Sequence, residues 1–195
     1  MRALRHFVVE IPETHSDKLK LGDKEIYIDT RFNEFDHRIC YGTVVSPPEL
    51  LDTGVSKGDT LFFHHHVTMN KSLSLGDDMY VVIYDEHHAQ GSHAIAYRDS
   101  EGELKMLSGW VFLHPTEEKT PDSVTDSGII YELGTNKKEN QTASVFMPNE
   151  ELIAQGVKVG DVIGYDKDSD YKMKLDDGSI VYRMRVSDIA YVVPD

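Results

Sequence analysis

The 195-residue chain has a single cysteine, Cys40. One cysteine excludes an intramolecular disulfide framework and fits a reducing compartment, so the cytoplasm is the expected location. No apolar run approaches the roughly 18 residues of a membrane-spanning helix, and Met1–His6 is not followed by an apolar stretch of signal-peptide length. Positive charge is scarce. Lys+Arg number 20 against 34 Asp+Glu, a net charge of −14. That excess is spread over both halves of the chain, so it repels phosphate backbones and anionic lipid, and neither nucleic acid nor membrane is expected as a partner. No nucleophile elbow, phosphate loop or dinucleotide fingerprint occurs. The paired carboxylates Asp77-Asp78, Glu117-Glu118 and Asp176-Asp177 stand in polar, turn-like contexts where solvated surface is the ordinary reading. No enzyme activity and no cofactor are expected.

What the chain does contain is itself, twice. Gly54-Val55-Ser56-Lys57-Gly58-Asp59 returns as Gly156-Val157-Lys158-Val159-Gly160-Asp161, an offset of 102. Phe7–Pro12 is answered by Trp110–Pro115 at offset 103, Val44-Val45 by Val145-Phe146 at 101, and Glu49-Leu50-Leu51 by Glu151-Leu152-Ile153 at 102. Ile95-Ala96-Tyr97 matches Ile189-Ala190-Tyr191 at 94. A period this long exceeds the roughly 20–50 residues of solenoid repeats, so each copy is a small domain. The domains are expected at residues 1–99 and 103–195, joined at Ser100-Glu101-Gly102.

Strand signals dominate both copies. Phe7–Ile11, Tyr41–Val45, Thr60–Phe63, Met79–Tyr84, Ser179–Arg185 and Ile189–Val193 are short β-branched and aromatic runs bounded by Gly, Pro or Asp. Asp77-Asp78 and Asp176-Asp177-Gly178 read as hairpin turns. Helical candidates are confined to Pro48–Leu51 and Asn149–Ile153, one turn each. The expected class is all-β, with one small antiparallel barrel per copy. Each copy also has a long polar stretch without strand signal, Glu13–Asp36 and Thr116–Gln141, too long for an ordinary connection. Each carries one apolar knot, Ile26-Tyr27-Ile28 in the first and Ile129-Ile130-Tyr131, preceded by Gly128, in the second. Such a knot is either a partner's anchor or a staple onto its own barrel.

Val157–Val162, followed by an acidic hairpin and then Val186-Ser187-Asp188-Ile189-Ala190-Tyr191-Val192-Val193, resembles the C-terminal half of GroES-type co-chaperonins. Trp110–Leu113 sits where that family has its first strand. Ser127-Gly128-Ile129-Ile130-Tyr131 sits where its mobile loop carries glycine-glycine-isoleucine-valine-leucine. The first copy follows more loosely, with Leu4–Ile11, Lys24–Ile28, Lys57-Gly58-Asp59 and Ala94–Tyr97 in the corresponding places. The resemblance implies two tandem GroES-like barrels, each with a mobile loop, assembling into a homo-oligomeric ring. It implies a nucleotide-bound GroEL-type chaperonin as partner, with Gly128, Ile129, Ile130, Tyr131, Ile26, Tyr27 and Ile28 as the binding residues. The looser first copy and the shifted anchors resemble a bacteriophage-encoded form, which would act in the host cytoplasm. Tyr131 in place of an aliphatic anchor, and the lack of a glycine before Ile26, depart from the family pattern.

Two other readings compete. One is a ring-forming structural or adaptor protein, for example of a virion, that reuses the barrel. The other is a metal-binding cupin-like enzyme, because nine of the ten histidines fall in the first copy and His64-x-His66 with His93 forms a partial ligand set. The carboxylate such a site expects after His66 is replaced by Val67-Thr68-Met69-Asn70, and Tyr165–Asp168 in the second copy has no histidine. No metal site is therefore assigned, and the histidines are expected at an exposed hairpin tip.

Overall fold

The structure, a computed structural model, describes residues 2–11, 18–21, 24–27, 38–114 and 141–193. The first half forms β1 (Phe7–Glu10), β2 (Lys18–Leu21), β3 (Lys24–Tyr27), β4 (Tyr41–Ser46), β5 (Thr60–Phe63), α1 (His66–Met69), β6 (Ser74–Gly76), β7 (Met79–Val82), β8 (Ala94–Arg98) and β9 (Leu104–Met106). The second forms β10 (Trp110–His114), β11 (Thr142–Met147), α2 (Glu150–Ala154), β12 (Val162–Tyr165), β13 (Tyr171–Lys174), β14 (Ile180–Arg185) and β15 (Ile189–Val192). All six strands expected from the sequence form, and the class is mostly β. No described helix is long and apolar enough to cross a membrane.

Two antiparallel sheets carry the duplication. Their strand orders are β6-β7-β1-β4-β5-β8-β9 and β13-β14-β10-β11-β12-β15. Leaving out β9, the second order reproduces the first strand for strand. The irregularities repeat too: a bulge interrupts β1–β4 pairing between Val8 and Val9, and β10–β11 pairing between Phe112 and Leu113. Each sheet ends in edge strands that pair on one side only among the described residues, so the ladders are open rather than closed rings of hydrogen bonds.

Pairing registers correct the sequence alignment by one residue in two places. Val9 faces Val44 and Leu113 faces Val145, so Val9 corresponds to Leu113, not to Phe112. Phe62 faces Ala96 and Gly164 faces Tyr191, so Ala96 corresponds to Tyr191, not to Ala190. The period of a strand is two, and a slip of one residue would send every side chain to the wrong face. Burial differs between the copies on this strand: Ile95 is buried in the cluster between the halves, whereas Ala190, its counterpart in the structural register, is exposed.

Local chemistry explains the repeated turns. In Val55–Asp59 the Ser56 N–H donates to Asp59 Oδ2 at 2.7 Å, and in Val157–Asp161 the Lys158 N–H donates to Asp161 Oδ2 at 2.8 Å. Gly58 and Gly160 take φ of 97° and 94°, which only glycine adopts without strain. Asp77-Asp78 is a two-residue hairpin loop with φ of 49° and 59°, the left-handed pair that matches strand twist. Of the two helical candidates only the second is helical. Asn149 caps α2 by accepting from the Leu152 N–H at 3.0 Å, whereas the corresponding Pro48 has no side-chain acceptor and Glu49-Leu50 remains a turn.

Among the described residues, three apolar clusters form the core. One lies within the first half around Phe7, Val9, Leu61 and Phe63, and one within the second around Val111, Leu113, Ile163 and Met184. The third joins them: Cys40, Phe62, Ile95 and Ala96 pack with Trp110, Phe112, Met173, Leu175 and Val181. Arg98 of β8 reinforces that junction, reaching Asp176 at 3.0 Å and Asp177 at 3.2 Å on the β13–β14 turn.

Candidate functional site

The two long connections leave the fold at one topological position. Residues 11–40 link β1 to β4 and residues 115–141 link β10 to β11, the same pair of adjacent strands in each sheet. Of the sequence-derived binding residues, Ile26 and Tyr27 lie on β3, in a separate two-stranded sheet with β2 where Ile26 faces Leu19 and Tyr27 faces Lys18. Ile28, Gly128, Ile129, Ile130 and Tyr131 lie outside the described residues. The hairpin itself corrects the expectation that Glu13–Asp36 has no regular structure. Lys18–Leu21 alternates polar and apolar residues over only four positions, and Lys24–Tyr27 does not alternate at all, so neither stands out in a charged stretch.

The histidines are placed differently from the sequence expectation. His64, His65 and His66 follow β5 and open α1, at the junction of the two halves and not at an exposed hairpin tip. His65 is buried, His64 half-buried and His66 exposed. Their rings are 4.1–4.5 Å apart centroid to centroid, and one nitrogen from each lies within 4.8 Å of the others. Backbone geometry makes this compact group. The His64 N–H donates to the His93 carbonyl at 2.9 Å, tying the strand end to the segment before β8, and the chain then turns into α1. His64 Nδ1 accepts the His66 N–H at 3.2 Å.

The second half supplies the other wall. The Tyr171 ring stacks on His65 at 5.6 Å and 15°. On the same ring lie the guanidinium of Arg183, at 4.5 Å, and that of Arg38, at 5.3 Å. Arg183 is buried and also faces the Trp110 ring at 5.4 Å, so its charge is held between two aromatic faces. Burial pulls Arg183 down to about 10, opposed by the nearby Cys40 and Tyr171. Burial, then the charge of Arg183, then the neighbouring imidazoles drive His64 down to about 2, so it is neutral in the folded protein. Burial also lowers His93, with His66 and His6 acting in the same sense. Burial pushes the Cys40 thiol up to about 11, against the opposing pull of Arg183 and Arg38. His93 Nδ1 and Trp110 Nε1 are buried without a hydrogen-bond partner, each a cost of about 1–3 kcal/mol unless another group meets it.

Trp110 is part of the core cluster at the junction, whereas neither Tyr171 nor Arg183 was singled out from the sequence. The available signal was an arginine two residues beyond Val181 in a strand, on the face that the alternation assigns to the interior. A second feature of the junction is an open cleft of about 900 Å³ lined by Tyr84, Tyr97, Leu107, Met147 and Glu150 among others. Compared with known protein families, curated proteins and solved structures, the chain matches none.

Proposed function

We propose that this protein is a tandem co-chaperonin of GroES type, which binds the apical domains of a nucleotide-bound GroEL-type chaperonin and caps its folding chamber. One observation carries the reading. Two sheets of the same strand order each interrupt the chain at the same point, after a bulged strand, with a long connection bearing an apolar knot. In this reading each sheet is the wall of a small barrel, and Ile129, Ile130 and Tyr131 are the stronger anchors. Burying three such side chains yields about 1.5–3 kcal/mol each, while ordering a loop costs about 2–5 kcal/mol. A single loop is then a weak and reversible binder, and a ring of loops gains about 10²–10⁴ in avidity. Release in every nucleotide cycle needs that weakness.

Ring formation is supported by the junction between the halves. The first half uses its Phe62–Ala96 face and the second its Trp110–Phe112–Val181 face, so the contact is heterologous. The second half's counterpart of the Phe62–Ala96 face, Gly164–Tyr191, is not consumed: Tyr191 is 58% exposed and Val192 45%. A further chain docked there repeats the internal contact. The experiment is size-exclusion chromatography with a GroEL-type chaperonin. Co-elution is expected with ATP or ADP and not without nucleotide. Ile129→Ser with Ile130→Ser abolishes it, and Ile26→Ser with Ile28→Ser weakens it less. Failure of the wild type to co-elute, or wild-type affinity in the Ile129/Ile130 variant, refutes the proposal.

A further inference from the structure

Independently of the chaperonin reading, we infer that His64, His65 and His66 form a binding site for a divalent first-row transition metal, Zn²⁺ in the first place, at the junction of the two halves. Three imidazoles offering one nitrogen each within 4.8 Å of the others is the observation that carries it. A zinc ion bound to imidazole at about 2.0–2.1 Å in tetrahedral geometry needs nitrogens about 3.4 Å apart. The present spacing therefore closes by small side-chain rotations rather than by moving backbone. Three protein ligands leave a fourth position open, and a water bound there is a candidate partner for the buried, unpaired Nδ1 of the adjacent His93.

The surroundings define the class of ion. Arg183 and Arg38 bring positive charge to the same cluster through the shared Tyr171 ring, which opposes a cation held by electrostatics alone. No carboxylate belongs to the three-ligand group. Calcium and magnesium, which need several oxygen ligands, are excluded, whereas ions that bond strongly to imidazole are accepted. His65 also stacks on Tyr171 of the second half, so a bound metal would fix the arrangement of the two halves at that point.

The test uses the full chain stripped with chelator and then titrated with Zn²⁺ by calorimetry and with Co²⁺ by visible absorption. One equivalent per chain is expected, with Co²⁺ bands of tetrahedral intensity, and no response to Ca²⁺ or Mg²⁺. Because His65 is buried, the variant is His64→Gln with His66→Gln, which keeps the buried ring; it should lose affinity at least tenfold. His66→Gln alone, at an exposed position, must weaken binding in a chain whose far-ultraviolet spectrum is unchanged. His87→Gln with His88→Gln, an exposed pair beside Asp85 and Glu86, should keep full affinity. The inference is overturned if the wild type binds no Zn²⁺, if the His64/His66 variant binds as the wild type does, or if only the His87/His88 variant loses the ion.

Discussion

Phe62→Ala tests whether the two halves are one cooperative unit. Phe62 is fully buried on β5 of the first half, within the cluster that contains Trp110, Phe112 and Val181 of the second. Its ring also lies 5.9 Å from the Arg98 guanidinium that pairs with Asp176. Removing a buried phenylalanine costs about 3–5 kcal/mol in lost transfer energy and residual cavity. With a urea slope of about 2 kcal/mol per molar, the unfolding midpoint should fall by about 1.5–2.5 M. The readout is unusually clean, because Trp110 is the chain's one tryptophan and belongs to the half that is not mutated. If the central cluster couples the halves, Trp110 fluorescence and far-ultraviolet circular dichroism shift together by the full amount. If the halves fold independently, the dichroism splits into two steps and the Trp110 transition stays where it was. That second outcome would refute the coupling drawn here from the shared core.

Gly164→Ala should destabilise the protein by about 1–3 kcal/mol, because the new Cβ would sit 2.2 Å from the Tyr191 ring. Adding Tyr191→Ala should restore most of the loss, and a thermal melt unchanged by Gly164→Ala alone would show that the ring does not cover the glycine. Cys40 should react with a thiol reagent at pH 8 about 100-fold more slowly than an exposed thiol, and at the ordinary rate once unfolded in urea. The sign for stability follows from the same shift. Because the folded state holds the thiol proton up to about 11 against an ordinary 9.0, its contribution is complete below pH 9 and is lost as pH rises through 11. Urea midpoints of the wild type should fall over that window more than those of Cys40→Ala, and equal slopes would contradict the burial of the thiol.

Much of the fold was legible in the sequence because its determinants are local. Short β-branched and aromatic runs such as Phe7–Ile11 and Ile189–Val193 specify strands, glycines with left-handed φ fix the two Gly-Asp turns, and two aspartates close the β6–β7 hairpin. The duplication was visible for the same reason: turns and strand cores keep their residue types. The apolar knot at Ile129-Ile130-Tyr131 was legible as a pattern, but its reading as a partner's anchor rather than a staple rests on resemblance.

The rest was decided by contacts between residues far apart in sequence. Which residues correspond between copies depended on cross-strand pairing, because a one-residue slip leaves a similar string of letters but inverts the buried face. Phe62–Ala96 in one copy and Gly164–Tyr191 in the other place the large side chain on opposite strands, a compensation invisible until the strands are paired. The burial of Arg183 between Trp110 and Tyr171, and the gathering of His64, His65 and His66 against that same tyrosine, required the second half to pack on the first. By itself the sequence determined strands, turns and the repeat, because these follow from neighbours along the chain; only the tertiary structure decided the register and the junction, because burial is a property of what the rest of the chain covers.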